Sequence, residues 1–293
     1  LGARWITENH WDDVACDYLL TEVGAPALPT SVGTAIPVTV AEKGPNWRRL
    51  KGKGISGHGS QPYGTLNAIV PLAEAITRLA ETPMPVDVTD EWRAFVAGWA
   101  PESDLAEALL DVDRLDEAID LITLDDPGFA RWIHACTHLT VTPTVLHGGV
   151  KSNVVPDSAV ASVDIRALPG QDTASILDHL RKAIGPALAE EIEIEAITEA
   201  GASSSVASGP LWEAIGGAVG AEARLVPTMI PVATDARFWR SRGTVAYGIG
   251  LYDDSVAFGE FLGMFHGADE RITEASLGLT ADLIADVIGR LWS

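Results

Sequence analysis

One histidine sits in a turn made of residues with unusual backbone freedom: Gly54-Ile-Ser-Gly57-His58-Gly59-Ser60-Gln61-Pro62-Tyr63-Gly64. Four glycines and a proline bracket a single histidine there. The turn therefore dictates where that imidazole points. A fixed imidazole can donate to a developing oxyanion or pass a proton. Most loop histidines do no chemistry, so the weight of His58 depends on the rest of the chain. Glu22 follows the apolar run Ala15 to Leu20 and stands at a strand end, where open α/β sheets hold ligands. A lone glutamate in such a place is more often a solvated loop residue. Asp164 and Arg166 fall on one face of an alternating strand, either as a structural ion pair or as an arginine oriented to grip a carboxylate. Thr234 lies in Ala233-Thr-Asp-Ala-Arg237-Phe, a strand-to-helix junction whose backbone donors suit anions. His134 and His138 have the i, i+4 spacing of a helical metal pair, but the pattern turns to strand alternation at Thr137, which breaks the shared face.

The elements that must hold these residues follow from periodicity. Helical spacing covers 2–9, and strands are expected at 15–20 and 37–41, with Glu42-Lys-Gly-Pro45 as a turn. From Trp47 a second unit begins. An extended strand over 48–56 leads into the His58 turn, and a helix over 67–81 follows with Ile69, Leu72, Ile76 and Leu79 on one side. Helical pieces fill 83–135, where Trp92, Phe95, Val96 and Trp99 make a core stripe. Strands at 139–146 and 159–168, a helix at 173–184 capped by Asp172 and a strand at 191–197 complete strand, helix, insertion, strand, strand, helix, strand. That is the ferredoxin-like order. The last third returns to α/β style, with a helix from Pro210, strands at 225–231 and 244–249, and a final helix over 273–292.

Composition bounds the function. The 293 residues carry 20 basic and 41 acidic side chains, a net charge of −21, which argues against nucleic acid and anionic membrane surfaces as partners. Cys16 and Cys136 are far apart without metal spacing, as two buried thiols of a cytoplasmic protein would be. No apolar run has the roughly twenty residues of a membrane span. Leu1 stands inside an amphipathic pattern with no initiator methionine, as expected of a polypeptide lacking its first part.

Five segments in order then resemble one family: His58-Gly-Ser-Gln-Pro62 before Asn67-Ala-Ile, Gly149-Val-Lys-Ser-Asn153-Val-Val-Pro156-Asp157, Asp164-Ile-Arg166, Thr234-Asp-Ala-Arg237 and His266-Gly-Ala-Asp-Glu270-Arg. Together they look like the M20 metallopeptidases and deacylases, among them aminoacylase, acetylornithine deacetylase, succinyl-diaminopimelate desuccinylase and carboxypeptidase G2-like enzymes. The resemblance implies an α/β zinc-peptidase-like catalytic domain interrupted by a ferredoxin-like lid that makes a homodimer. The expected division is 1–45 and 200–293 for the catalytic domain and 46–199 for the lid. It also implies two zinc ions that activate a water and polarise an amide carbonyl. Glu22 and His266 match metal ligands, and His58 matches the lid histidine that serves the neighbouring subunit's site. Asn153 and Arg166 match residues that grip the substrate's carboxylate or carbonyl, with Thr234 as a further pocket residue. The implied substrate is an N-acyl amino acid or small peptide with a free carboxylate.

The departures are as informative. The family's His-x-Asp motif after an apolar strand, its bridging aspartate and its Glu-Glu pair have no counterpart. His10-Trp-Asp12 follows a helix, and Glu190-Glu191 introduces a lid strand. Glu22 and His266 alone would hold zinc weakly, since catalytic zinc sites use three protein ligands. The chain is therefore expected to be an incomplete catalytic domain without hydrolase activity, while the complete protein has it. The alternatives are a non-catalytic dimerisation or binding protein on the same lid, or an unrelated α/β protein.

Overall fold

A computed structural model of the chain describes all residues except Leu1, Ser31, Val32, Pro101, Glu102, Glu222, His266, Ala268 and Ser293. The chain divides into two compact units. One comprises residues 1–43, 86–137 and 203–293, and the other residues 44–85 and 138–202.

The second unit has the expected ferredoxin-like sheet. Ile192–Ala196, Arg48–Lys53, Ser158–Ala167 and Thr140–Gly148 lie side by side in that order, every pairing antiparallel. Alternation decides its faces. Ala159, Ala161, Val163, Ile165 and Ala167 are all buried against helices Ile69–Glu81 and Thr173–Ile184, through Leu72, Leu79, Ile176 and Leu180. Asp172 caps the second helix by accepting from the Ser175 N–H at 2.7 Å. The opposite face is charged, with Lys53 on Glu193 at 2.7 Å and Lys51 on Glu195.

In the first unit, Gly33–Glu42 is the long central strand. It runs parallel to Ala223–Ile230, antiparallel to the short Leu28–Thr30, and meets Val245–Gly248, which in turn runs parallel to Tyr18–Thr21. The strand extends past the expected 37–41, and Glu42 is its buried last residue rather than part of a turn. The helical pieces of 86–137, expected in the lid, belong to this first unit. The physical reason is aromatic packing. Trp92, Phe95, Trp99, Phe129 and Trp132 stack or meet edge to face with ring centroids 4.9–5.8 Å apart, and Phe129 and Trp132 both abut Phe258. Phe258 lies in helix Phe258–Met264, an element the periodicity did not announce. Of the two thiols, Cys136 is buried as expected, whereas Cys16 is exposed. Among the described residues no helix is long and apolar enough to cross a membrane.

Candidate active site

Glu22 comes directly after strand Tyr18–Thr21, and the backbone that presents it is strained. Val23 has φ 72°, the one positive φ at a non-glycine position among the described residues. For a β-branched residue this conformation costs roughly 1–3 kcal/mol and persists only where its surroundings force it. They do so here by close approach. A Cβ on Gly24 would lie 2.0 Å from the Gly250 nitrogen, and one on Gly248 would lie 2.4 Å from the Glu22 carbonyl oxygen. Thr39 also donates its hydroxyl to the Val23 carbonyl at 2.8 Å. Glu22 then faces a cavity of about 510 Å³, with Arg131 and Glu270 among the other lining residues.

Thr234 stands one residue beyond the cavity wall at Ala233, and its polar groups are committed elsewhere. Both its N–H, at 2.6 Å, and its hydroxyl, at 2.8 Å, donate to one oxygen of Glu42. The other Glu42 oxygen accepts from Ser203 at 2.8 Å and lies 3.4 Å from the Arg240 guanidinium. Both side chains of that ion pair are at most 2 % exposed. Arg240 donates further to the Ala246 carbonyl at 2.8 Å, and burial pulls its pKa down while Glu42 pushes it up. Thr234 is thus a residue that fixes the Pro231–Asp235 turn, with no hydroxyl proton left to offer a substrate.

The lid unit brings His58 and Asn153 together. Gly57–His58 and Val154–Val155 form a two-stranded ribbon, and the Gly59 N–H donates to the Asn153 carbonyl at 2.7 Å. The His58 ring is exposed, and its Nδ1 lies 3.3 Å from the Ser60 N–H and 2.8 Å from the Ser60 hydroxyl. A backbone N–H can only donate, so Nδ1 accepts and the neutral ring carries its proton on Nε2. That leaves an outward donor. Gly64 supplies a left-handed φ of 79°, whereas Gly54 and Gly57 act through space. A Cβ on Gly54 would lie 2.1 Å from the Leu66 carbonyl oxygen, and one on Gly57 2.4 Å from a Thr65 methyl.

Arg166 is separated from this ribbon. In the strand Ser158–Ala167 it pairs with Thr140 and Pro45, the end opposite the residues near the His58 turn. The expected shared face is real: Arg166 holds Asp164 in a two-point contact of 2.7 and 3.0 Å, and its guanidinium lies 5.2 Å from the Trp47 ring centre. His266 lies outside the described residues.

Among the described residues no three His, Cys, Asp or Glu side chains converge as a metal ion requires. Glu22 contributes one carboxylate and Glu270 stands on the same cavity, so the described donors do not by themselves make a two-metal centre. Sequence reasoning gave Arg131 no role, quoted Glu270 only as part of the His266 segment, and placed Glu42 in a turn.

The peptidase dimerisation domain of the M20 family matches residues 40–191, more than half of the chain. The chain belongs to the M20 family. A "Probable carboxypeptidase S-like 2" of Dictyostelium discoideum is 27% identical over 268 residues, 88% of this chain and 49% of that protein. Aminoacylase-1 of Mus musculus is 30% identical over 158 residues, 53% of this chain and 37% of the relative. The chain thus spans about half the length, or less, of these M20 relatives. The fold agrees. The M20 metallo-carboxypeptidase Sso-CP2 from Sulfolobus solfataricus superposes with a TM-score of 0.61 at 17% identity, over 99% of this chain and 66% of that one. Human carnosine dipeptidase 1 does so with a TM-score of 0.61 at 12% identity, over 99% and 62%.

Proposed function

We propose that this chain supplies the lid and the C-terminal part of the catalytic domain of a two-zinc M20 amidohydrolase. The reaction is cleavage of an amide bond in an N-acyl amino acid or a small peptide with a free carboxylate. The observation that carries it is the strained Val23 turn, which spends backbone energy to place the Glu22 carboxylate at a strand end beside a cavity. Aminoacylase and carboxypeptidase relatives support the substrate class.

In this proposal Glu22 and His266 are metal ligands, and zinc would need further ligands that the described residues do not bring together. The chain by itself is accordingly proposed not to hydrolyse amides. His58 offers its Nε2 proton to the oxyanion of a neighbouring subunit's site, and Asn153 and Arg166 bind the substrate's carbonyl and carboxylate. The free edge of the lid sheet supports the dimer. Thr140–Gly148 pairs on one side only among the described residues, and Val145 and Leu146 are exposed on it.

Amine release from N-acetyl amino acids and dipeptides by the full-length protein in zinc tests this. His58→Ala should lower turnover by about a hundredfold or more with zinc content unchanged, the size of one lost oxyanion donor. Zinc lost in that variant, or a metal-free protein that still dimerises through the lid, would instead favour a non-catalytic binding protein.

A further inference from the structure

Arg166 is held on two sides, and one of the two holders is a residue that the proposed chemistry leaves without a role. The sheet register brings Trp47 to it. Pro45 pairs with Arg166 and Arg48 with Val163, so the two residues between them pass Ile165 and Asp164. The Asn46 N–H donates to the Ile165 carbonyl at 2.8 Å, which leaves Trp47 level with Asp164 and diagonal to Arg166. The backbone there is pinned. The Trp47 carbonyl accepts from the Ile197 N–H at 2.9 Å, and Asn46 and Arg48 on either side of it are each 3 % exposed. Arg48 is fixed further by Glu199 at 2.8 Å. The strand thus sets the indole in place, its ring centre 5.2 Å from the Arg166 guanidinium carbon. Asp164 takes the guanidinium by one edge: Nε donates to one carboxylate oxygen at 2.7 Å and Nη2 to the other at 3.0 Å. A guanidinium has five N–H groups, and among the described residues nothing accepts from the remaining three, one on Nη2 and two on Nη1.

We infer that Trp47 and Asp164 are positioning residues for Arg166, and that together they leave its Nη1–Nη2 edge as the place where an acceptor with two coplanar oxygens docks. This rests on the reading of Arg166 as the residue that takes the substrate's carboxylate. The indole covers one face of the guanidinium by cation–π attraction, and Asp164 occupies the Nε side. A carboxylate therefore meets the group end-on and in its plane. An arginine held by one carboxylate alone still swings about its side-chain torsions, and the ring removes that freedom before a ligand arrives. Asp164 also offsets the arginine's charge. What the pair offers a ligand is a fork of donors rather than a net charge, and lysine has no such fork.

The test is a double-mutant cycle, read as steady-state hydrolysis of N-acetyl-leucine by the full-length protein. Arg166→Ala should raise KM by about tenfold or more. Trp47→Leu should raise KM roughly three- to tenfold with kcat unchanged, and Trp47→Phe should restore most of that loss. Trp47→Leu added to Arg166→Ala should change KM no further. Arg166→Lys, charged but without the fork, should behave as Arg166→Ala does. A Trp47→Leu effect that falls on kcat, that Trp47→Phe does not rescue, or that adds in full to Arg166→Ala would overturn the inference, because a merely structural tryptophan gives those results. A second measurement needs no turnover. In the 293-residue chain the Arg166 Nε–H nuclear magnetic resonance signal, assigned by its absence from Arg166→Lys, should be shielded by the indole and slow to exchange with water. Trp47→Leu should move it to the position of free arginine. A free-arginine signal in the parent rejects the positioning whatever the protein hydrolyses. A held signal in a full-length protein that cleaves no N-acyl amino acid rejects the substrate reading alone.

Discussion

At the scale of single residues, the site region depends on a charge that periodicity placed in a turn. Glu42 is buried with Arg240, and its four acceptor contacts tie Thr234, Ser203 and Arg240 into one cluster behind the cavity wall. Removing one member of a buried pair leaves the other charge without compensation, which costs about 3–5 kcal/mol. Glu42→Gln keeps the shape and should lower the urea-unfolding free energy by about 3 kcal/mol, whereas a loss under about 1 kcal/mol would show that the pair is solvated. The same residue shows where sequence reasoning stops. Thr234 was legible as part of a polar junction, but its partner lies 192 positions away in sequence. No local pattern encodes that contact. His58 was legible because its glycines are adjacent to it. Even so, the reason for them, close approach of Leu66 and Thr65 to Gly54 and Gly57, came only from the fold.

Among elements, agreement is best where one face is buried. The alternating strand Ser158–Ala167 and the helices Ile69–Glu81 and Thr173–Ile184 match their expected faces because period 2 and period 3.6 leave a mark in hydrophobicity. Helix Phe258–Met264 left none. It holds Gly259 and Gly263, poor helix formers, and is stabilised by Phe258 among the aromatic rings of a segment more than a hundred positions earlier. The last helix, Glu274–Leu291, begins with a capping cluster: Thr273 accepts from the Ser276 N–H at 3.0 Å and donates its hydroxyl to Asp253. Asp253 also accepts from the Ser255 N–H at 2.8 Å. These donors, led by Ser255 and then Thr273, hold its carboxyl down to about 2, against an ordinary 3.8. A depressed carboxylate stabilises the fold fully above its ordinary pKa and loses that contribution as pH falls through the folded value. The stability gap between the parent and Asp253→Asn should therefore be constant above about pH 4 and close between about pH 4 and pH 2. A gap that persists unchanged at pH 2 would assign the cap's strength to packing rather than charge. Denaturant melts across that range decide it.

At the scale of the whole molecule, the net charge of −21 argues against a nucleic-acid partner, and the family match gives the lid its meaning. The lid unit offers His58 with its proton on the outward nitrogen, while the other unit offers Glu22 on a strained turn. The match to the M20 dimerisation domain supports the proposal that the two act across a twofold axis. The insertion 86–137 was legible as apolar helices but not as part of the first unit, since amphipathic faces announce that they are buried and leave open against what.

The most direct test of the central claim mixes two inactive variants of the full-length protein, His58→Ala and Glu22→Gln, and follows amide hydrolysis as subunits exchange. Each alone should be reduced by about a hundredfold or more. An equimolar mixture should recover about a quarter of the parent activity, because half of the exchanged dimers carry one site built from the intact Glu22 of one subunit and the intact His58 of the other. A mixture that stays as inactive as its components after exchange would contradict a lid histidine working across the dimer.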